Sequence, residues 1–151
     1  DSPKNIFVAG FIGTPPMNLV PARIRVEGGR AVVAADGLSL PIPARWRRTC
    51  EGLKQREVIF GFRPEHLRAM REGDATAAAA TVARLEIDLV EMLGSHIQLT
   101  LTCGSDRLIA TADPSLPVKA GDRIPIAFDM DAMHLFEKDD PQRRIEAASA
   151  A

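Results

Sequence analysis

The sequence has no tyrosine, a single tryptophan, two cysteines and no long run of apolar residues. Aromatic residues make up only 5% of the chain, so it has few of the stacking platforms that bind sugars or bases. The two cysteines, Cys50 and Cys103, are too few for the disulfide framework of a small secreted domain. A chain of 151 residues buries enough surface to fold without such a framework, and we expect both thiols to be reduced.

The sequence also lacks an excess of charge of one sign. Its 19 lysines and arginines are balanced by 20 aspartates and glutamates, which argues against the basic stripe of a nucleic-acid-binding module. No segment approaches the roughly 18 apolar residues of a membrane-spanning helix. The first residues have no positively charged region followed by an apolar stretch. We therefore expect neither a membrane span nor a signal peptide, and no nucleic-acid partner.

Motifs for catalysis, nucleotide binding and metal binding are missing as well. There is no G-x-x-x-x-G-K-[ST] loop, and the pair Gly10 and Gly13 lacks the third glycine of a dinucleotide fingerprint. The histidines, His66, His96 and His134, are too widely separated for a zinc motif. The sequence therefore predicts no catalytic residue, no cofactor and no metal in this chain.

Two kinds of apolar pattern divide the chain. Residues 6–12 are apolar at helical spacing and end at Gly13, which predicts a short helix that is apolar on nearly all sides and must dock on something. From Met17 onward the pattern alternates with a period of two, which is typical of half-buried strands. The alternating segments are 23–26, 31–33, 38–42, 58–62, 83–89, 97–101, 107–110, 124–128 and 133–137.

These short strands, separated by glycine-containing turns, predict an all-β barrel or sandwich with little room for a parallel sheet. Pro41 indicates an edge strand or a strand end, because proline cannot donate to a sheet ladder. Cys103 continues the apolar alternation and is predicted to face the core. Residues 44–57 are charged and predicted to be irregular, the alanine run 75–80 fits helix or extended chain, and the polar tail 139–151 is predicted to fray.

One local basic cluster, formed by Arg45, Trp46, Arg47 and Arg48, has two interpretations. It binds an acidic partner or a phosphate by bidentate and stacking contacts, or it is a solvated loop whose tryptophan covers one end of a barrel. The sequence leaves both interpretations open.

Five segments carry a resemblance to a known family. They are residues 7–18 (FVAGFIGTPPMN), 61–67 (GFRPEHL), 90–94 (VEMLG), 121–122 (GD) and 134–136 (HLF). In this order they resemble the carboxy-terminal region of ABC-importer ATPase subunits of the carbohydrate-uptake group, which includes the maltose and glycerol-3-phosphate importers. The resemblance extends from residue 5 to about residue 144, although the Walker, signature and switch motifs of the complete ATPases are absent.

The resemblance implies a mainly β fold, an OB-like barrel known as a transport-associated OB (TOBE) domain. Residues 1–16 would be a junction helix and linker from an ATPase domain, 17–138 the TOBE regulatory domain, and 139–151 a polar, alanine-rich tail. The family implies that this domain regulates and dimerises the ATP-binding subunit. It also implies that ATP and magnesium belong to the longer protein, on the cytoplasmic face of the inner membrane.

Implied partners are a second copy of the subunit, the transporter's membrane subunits, and an inhibitory protein or metabolite. The residues that match the most distinctive motifs are the predicted interface or regulatory residues: Phe11, Met17, Asn18, Arg63, Glu65, His66, His134 and Phe136. These motifs have an alternative explanation in turn and core geometry. Alternative functions are a small-anion or metabolite sensor in the same transporter, or a stand-alone OB-fold that binds nucleic acid, which the charge balance disfavours.

Overall fold

A computed structural model describes residues 17–52, 56–73, 81–138 and 144–145. The predicted junction helix within residues 1–16 and the alanine run 75–80 lie outside the described residues. Among the helices that are described, none is long and apolar enough to cross a membrane.

The described chain is mainly β, as predicted, and its strands are numbered in chain order. They are β1 (Asn18–Glu27), β2 (Arg30–Ala35), β3 (Leu38–Pro41), β4 (Glu57–Phe62), β5 (Leu67–Ala69), β6 (Val82–Met92), β7 (Ile97–Cys103), β8 (Asp106–Ala112), β9 (Arg123–Phe128), β10 (His134–Glu137) and β11 (Arg144–Ile145). Short 3-10 turns occur at Ala44–Trp46, Pro64–His66 and Met130–Ala132, and the helix α1 covers Arg47–Gly52.

Six of the strands form an open sheet in the order β11-β10-β4-β1-β2-β3. Neighbouring strands in this sheet are antiparallel. The turn between β1 and β2 consists of Gly28 and Gly29, both with positive φ, a conformation that glycine adopts without steric cost. The strand β3 is one edge of the sheet and ends at Pro41, which confirms the prediction for this proline.

The other five strands close into a barrel in the order β5-β8-β7-β6-β9. The long strands β6, β7 and β8 form an antiparallel meander, and β9 pairs antiparallel with β6. Closure depends on the three-residue strand β5, which pairs antiparallel with β9 and parallel with β8 through Arg68 and Thr111. The barrel is therefore of the small, OB-like kind, with no free strand edge.

Alternating apolar side chains of both sheets meet in one continuous core. In β7, Ile97, Leu99, Leu101 and Cys103 are buried while the residues between them are half-buried. The prediction that Cys103 faces the core is therefore confirmed. Trp46, from the turn before α1, also belongs to this core.

Two regions differ from what the sequence predicted. Residues 44–57 were expected to be irregular, but the turn Ala44–Trp46 and α1 lie there, because burial of Trp46 and Cys50 stabilises a helical turn that its propensity alone does not. The tail from residue 139 was expected to fray. Within it, Arg144 and Ile145 pair with Phe136 and Leu135 of β10, which makes them an edge of the open sheet.

Candidate functional site

Segments that are distant in the sequence come together at the end of β4. Asn18 at the start of β1 pairs with Phe62, and His134 at the start of β10 pairs with Gly61. Arg63 and the turn Pro64–His66 follow directly after β4. The predicted interface residues Met17, Asn18, Arg63, Glu65, His66, His134 and Phe136 thus form one group, here called the motif cluster. Phe11 lies outside the described residues.

Part of the motif cluster is a small apolar cluster on the face of the sheet that points away from the main core. Met17 and Phe136 are buried there and pack with Leu19 and Ile59. Gly61 faces the same side, and a Cβ at this position would lie 2.9 Å from Met17 Sδ and 3.0 Å from Phe136 Cε2. A larger residue at position 61 would therefore require the side chains of Met17 and Phe136 to shift.

Asn18 joins the open sheet to the barrel. Its side chain is buried, with Nδ2 donating to the carbonyl oxygen of Ile109 at 2.9 Å. The backbone N–H of Ile109, in β8, donates to Asn18 Oδ1 at 2.7 Å. One amide side chain therefore satisfies a backbone donor and a backbone acceptor of the neighbouring barrel, which fixes the relative position of β1 and β8.

The turn Pro64–His66 presents a charged side chain to solvent. The His66 N–H donates to the Arg63 carbonyl at 2.9 Å, and the Asp129 N–H donates to the His66 carbonyl at 2.9 Å. These backbone bonds hold the turn in place, and Glu65 at its centre is exposed. Within the described part of the chain, the Glu65 carboxylate has no ion pair.

The other ionisable groups of the motif cluster are basic. Burial, together with the nearby positive charges of Arg144, Arg63 and His66, lowers the pKa of His134 to about 4. His134 is only 9% exposed, and its Nδ1 has no hydrogen-bond partner within the described ranges. The Nδ1 of His66 is also buried and without a hydrogen-bond partner within the described ranges.

The side chains of the basic segment 45–48 differ in exposure, because Trp46 is buried and the three arginines are exposed. Trp46 is 3% exposed and packs into the core, so its ring is not available as a stacking platform. Arg45 donates to the carbonyl oxygen of Asp131 and lies with its Cζ 5.8 Å from the centre of the Trp46 ring. Arg47 and Arg48 are exposed. Their predicted contact with an anion or a partner stays a prediction.

Arg47 also borders a groove between α1 and the β1–β2 hairpin. The groove has a volume of about 570 Å³, with Arg30 and Arg47 at its rim and Ile42 and Cys50 among its apolar lining residues. Arg30 and Arg144 were not predicted from the sequence, because an isolated arginine beside a turn or in a polar tail carries no motif.

Neither cysteine shows signs of reactivity. Cys50 and Cys103 are free and buried, and burial raises the pKa of each thiol to about 11. Cys103 Sγ donates to the carbonyl oxygen of Asp36 at 3.3 Å. Such thiols are protonated at neutral pH and serve as small apolar side chains. Within the described ranges, no group of three or more His, Cys, Asp or Glu side chains is placed to hold a metal ion.

Comparison with known proteins gives matches along nearly the whole chain. A family model described as "TOBE domain" matches residues 60–136, and a model described as "MalK OB fold domain" matches residues 13–67. The boundary between the two models falls at the motif cluster, in the segment 60–67 that both models include.

Several curated relatives match over most of this chain. The sn-glycerol-3-phosphate import ATP-binding protein UgpC of Ralstonia nicotianae is 40% identical, over 96% of this chain and 38% of its own length. The UgpC of Chromobacterium violaceum is 35% identical, over 100% of this chain and 38% of its own. The trehalose/maltose import ATP-binding protein MalK of Thermococcus litoralis is 35% identical, over 91% of this chain and 37% of its own length. The chain spans less than two fifths of the length of these relatives.

Among solved structures, the cytoplasmic molybdate-binding protein ModG is similar, with a TM-score of 0.59 and 13% identity. The match covers 78% of this chain and 94% of that structure. At this level of identity the similarity concerns the fold alone.

Proposed function

Because the chain belongs to the TOBE domain family, we propose that it is the regulatory and dimerising domain of the ATP-binding subunit of an importer for a sugar or for glycerol 3-phosphate. The observation that carries this proposal is the coverage of the relatives. Proteins named as import ATP-binding proteins match 91–100% of this chain but only 37–38% of their own length.

The proposal divides the work between two parts of a longer protein. ATP and magnesium bind, and hydrolysis takes place, in the part of the relatives that this chain does not match. The β-domain performs no catalysis. It holds two subunits together while their catalytic parts close around ATP and separate again, and a rigid, continuous core is the property that such a fixed hinge requires.

The proposed partners are a second copy of the subunit, the membrane subunits of the transporter, and an inhibitory protein or metabolite. The β6–β7 hairpin supports a protein contact, since Leu89, Met92 and Leu93 near its tip are large apolar side chains that are 47–67% exposed. The proposed location is the cytoplasmic face of the inner membrane, reached through the transporter complex.

The coding sequence upstream of Asp1 tests the assignment directly. We expect a G-x-x-x-x-G-K-[ST] loop in the same reading frame, at the distance of one ATPase domain. An upstream region without this loop would overturn the proposal. Sedimentation of the chain at rising concentration tests the dimerising role separately. We expect a dimer to form by hundreds of micromolar, and a monomer throughout would count against self-sufficient pairing.

A second candidate function is a small-anion or metabolite sensor, which the groove beside α1 favours. Arg30 and Arg47 offer two guanidinium groups at its rim, a geometry suited to carboxylate or phosphate. Calorimetric titration with phosphate, sulfate and glycerol 3-phosphate tests it, with the R30Q/R47Q double variant as the matched control. Heat of binding that the double variant loses would support a sensor, and a flat titration with all three anions would remove it.

A further inference from the structure

The groove beside α1 combines apolar lining residues with positive charge. Ala31, Pro41 and Ile42 line it from the side of the open sheet, and Arg30 and Arg47 lie at its rim. Both arginines are exposed, and within the described part of the chain neither forms an ion pair. The volume of about 570 Å³ is in the range of small-molecule sites. A ligand that fits this groove therefore has both an apolar part and a negative charge.

The backbone segment 41–43 that lines the groove offers no free hydrogen-bond donor. Pro41 and Pro43 have no N–H group. The N–H of Ile42 between them donates to the carbonyl oxygen of Ala31 at 3.0 Å. A sugar or a glycerol chain would find no donor for its hydroxyl groups along this segment, and unpaired polar groups are costly to bury. An alkyl chain has no polar groups to pair and gains free energy by leaving water.

The charges around the groove favour a ligand with a single negative charge. The exposed carboxylate of Glu51 also lines the groove, so the two positive charges of Arg30 and Arg47 exceed the negative charge by one. A carboxylate carries one negative charge at neutral pH, and a guanidinium group binds it through two parallel hydrogen bonds. A phosphate monoester carries about 1.5 to 2 negative charges, and the excess would be repelled by Glu51.

We propose that the groove binds a monocarboxylate with an apolar body, such as a medium-chain fatty acid. The carboxylate lies against Arg30 and Arg47, and the alkyl chain lies along Ala31 and Ile42. The proposal concerns the same groove as the small-anion sensor described above but does not depend on it, because a hydrophilic anion would use the two arginines alone. It is also independent of the dimerising role, so either can fail without the other.

A pair of carboxylates that differ in chain length tests the apolar part of the site on the wild-type chain. In calorimetric titrations, octanoate should bind about tenfold more tightly than hexanoate, because each CH2 group that is buried adds to the affinity. NMR shifts of the backbone amides should concentrate at Ala31, Ile42 and Ala44. Equal affinities of the two acids, no binding of either, or shifts confined to other parts of the chain would overturn the proposal.

Two double variants test the charged part. R30Q/R47Q removes both guanidinium groups from exposed positions at the rim and should weaken octanoate binding by about tenfold or more. R25Q/R123Q removes the same charge from exposed positions of β1 and β9 that do not line the groove, and should bind octanoate as the wild type does. Undiminished binding by R30Q/R47Q, or equal losses in the two variants, would overturn the proposal.

A third variant blocks the groove without changing its charge. Val26 lines the groove and is 46% exposed, so V26W places a large side chain there without disturbing the core. We expect V26W to lose octanoate binding while circular dichroism shows an unchanged fold. Retention of binding by a folded V26W would contradict this site. Should V26W not fold, the comparison of octanoate with hexanoate and the two double variants still decide the outcome.

Discussion

The open sheet and the closed barrel share one core but differ in what they bury. The barrel interior is apolar, with Leu85, Ile87, Leu99 and Leu108 among its fully or nearly fully buried side chains. The buried polar side chains of the described ranges, Asn18 and His134, both belong to strands of the open sheet. Buried polar groups cost stability unless they are paired. Asn18 is paired with Ile109 of the barrel, whereas Nδ1 of His134 has no hydrogen-bond partner within the described ranges.

The closed barrel and the open sheet are therefore expected to have different roles. A closed barrel has no free edge and serves as a rigid support. The open sheet instead has free strand edges, at β3 and β11, while Gly61, Phe136 and His134 on the side away from the main core are buried. The groove beside α1 also borders the open sheet. We expect substitutions in the barrel to change stability, and substitutions on the sheet to change stability and assembly together.

The largest effect is expected in the barrel. L99A removes a fully buried side chain from the centre of β7 and leaves a cavity, which should lower the free energy of unfolding by about 4 kcal/mol. Urea denaturation measures this change. L89A, at a side chain that is 49% exposed, is the matched control and should change the free energy by less than about 0.5 kcal/mol. Equal effects of the two variants would contradict a packed barrel interior.

The next effect concerns His134 and pH. Because the folded protein lowers its pKa from 6.5 to about 4, the unfolded chain binds a proton more readily within this window. The free energy of unfolding should therefore fall as the pH drops from 6.5 to 4, and the protonation of His134 should account for up to roughly 3 kcal/mol of this loss. Outside this pH range, His134 should not make the stability depend on pH.

Denaturation curves at several pH values check this prediction, with H134Q expected to flatten the slope. H96Q, in the β6–β7 hairpin, retains the buried imidazole of His134 and should keep the slope of the wild type. A slope that H134Q leaves unchanged would show that another group is responsible.

Asn18 tests the connection between the two regions. N18A leaves the partly buried N–H and carbonyl of Ile109 without their side-chain partner, which should cost about 2 kcal/mol. Hydrogen exchange of the Ile109 amide should also become faster. S39A removes only a long contact of 3.5 Å with Glu27 on the exposed side of β3 and should cost a few tenths of a kcal/mol at most. Unchanged exchange at Ile109 in N18A would argue against this bridge.

The smallest effect is expected on the outer surface of the barrel. Asp88 and Arg107 form an ion pair at 3.3 Å between two side chains that are both about half exposed. D88A should change the free energy of unfolding by less than about 1 kcal/mol, and less still at high salt. A larger loss would mean that the barrel depends on surface charge as well as on its interior.

Much of the secondary structure was predictable because alternation reports burial locally. The segment 97–101 was recognised as a strand because its apolar residues alternate with polar ones and face the core. The strand β11 was not predicted, because a segment of two residues is too short to show an alternating apolar pattern. The helix α1 escaped because its stability comes from burying Trp46 and Cys50, which is a tertiary effect.

The candidate site was predictable only as a set of motifs. The GFRPEHL and HLF segments pointed to Arg63, His66 and His134, but nothing in their spacing predicts that these residues lie close together. The pairing of β10 with β4 brings them together across about 70 residues of sequence. Arg144 joins them through β11, so its effect on the pKa of His134 is a property of the assembled sheet.

By itself the sequence determined that the chain is a β-rich domain with reduced cysteines and balanced charge. It also carried the motifs of the family, because composition, alternation and turn residues act locally. Only the tertiary structure decided that β5 closes a barrel with a parallel pair, that Trp46 lies in the core, and that Arg144 lies near His134. These features depend on which strands become neighbours, and that choice is made by the packing of the whole core.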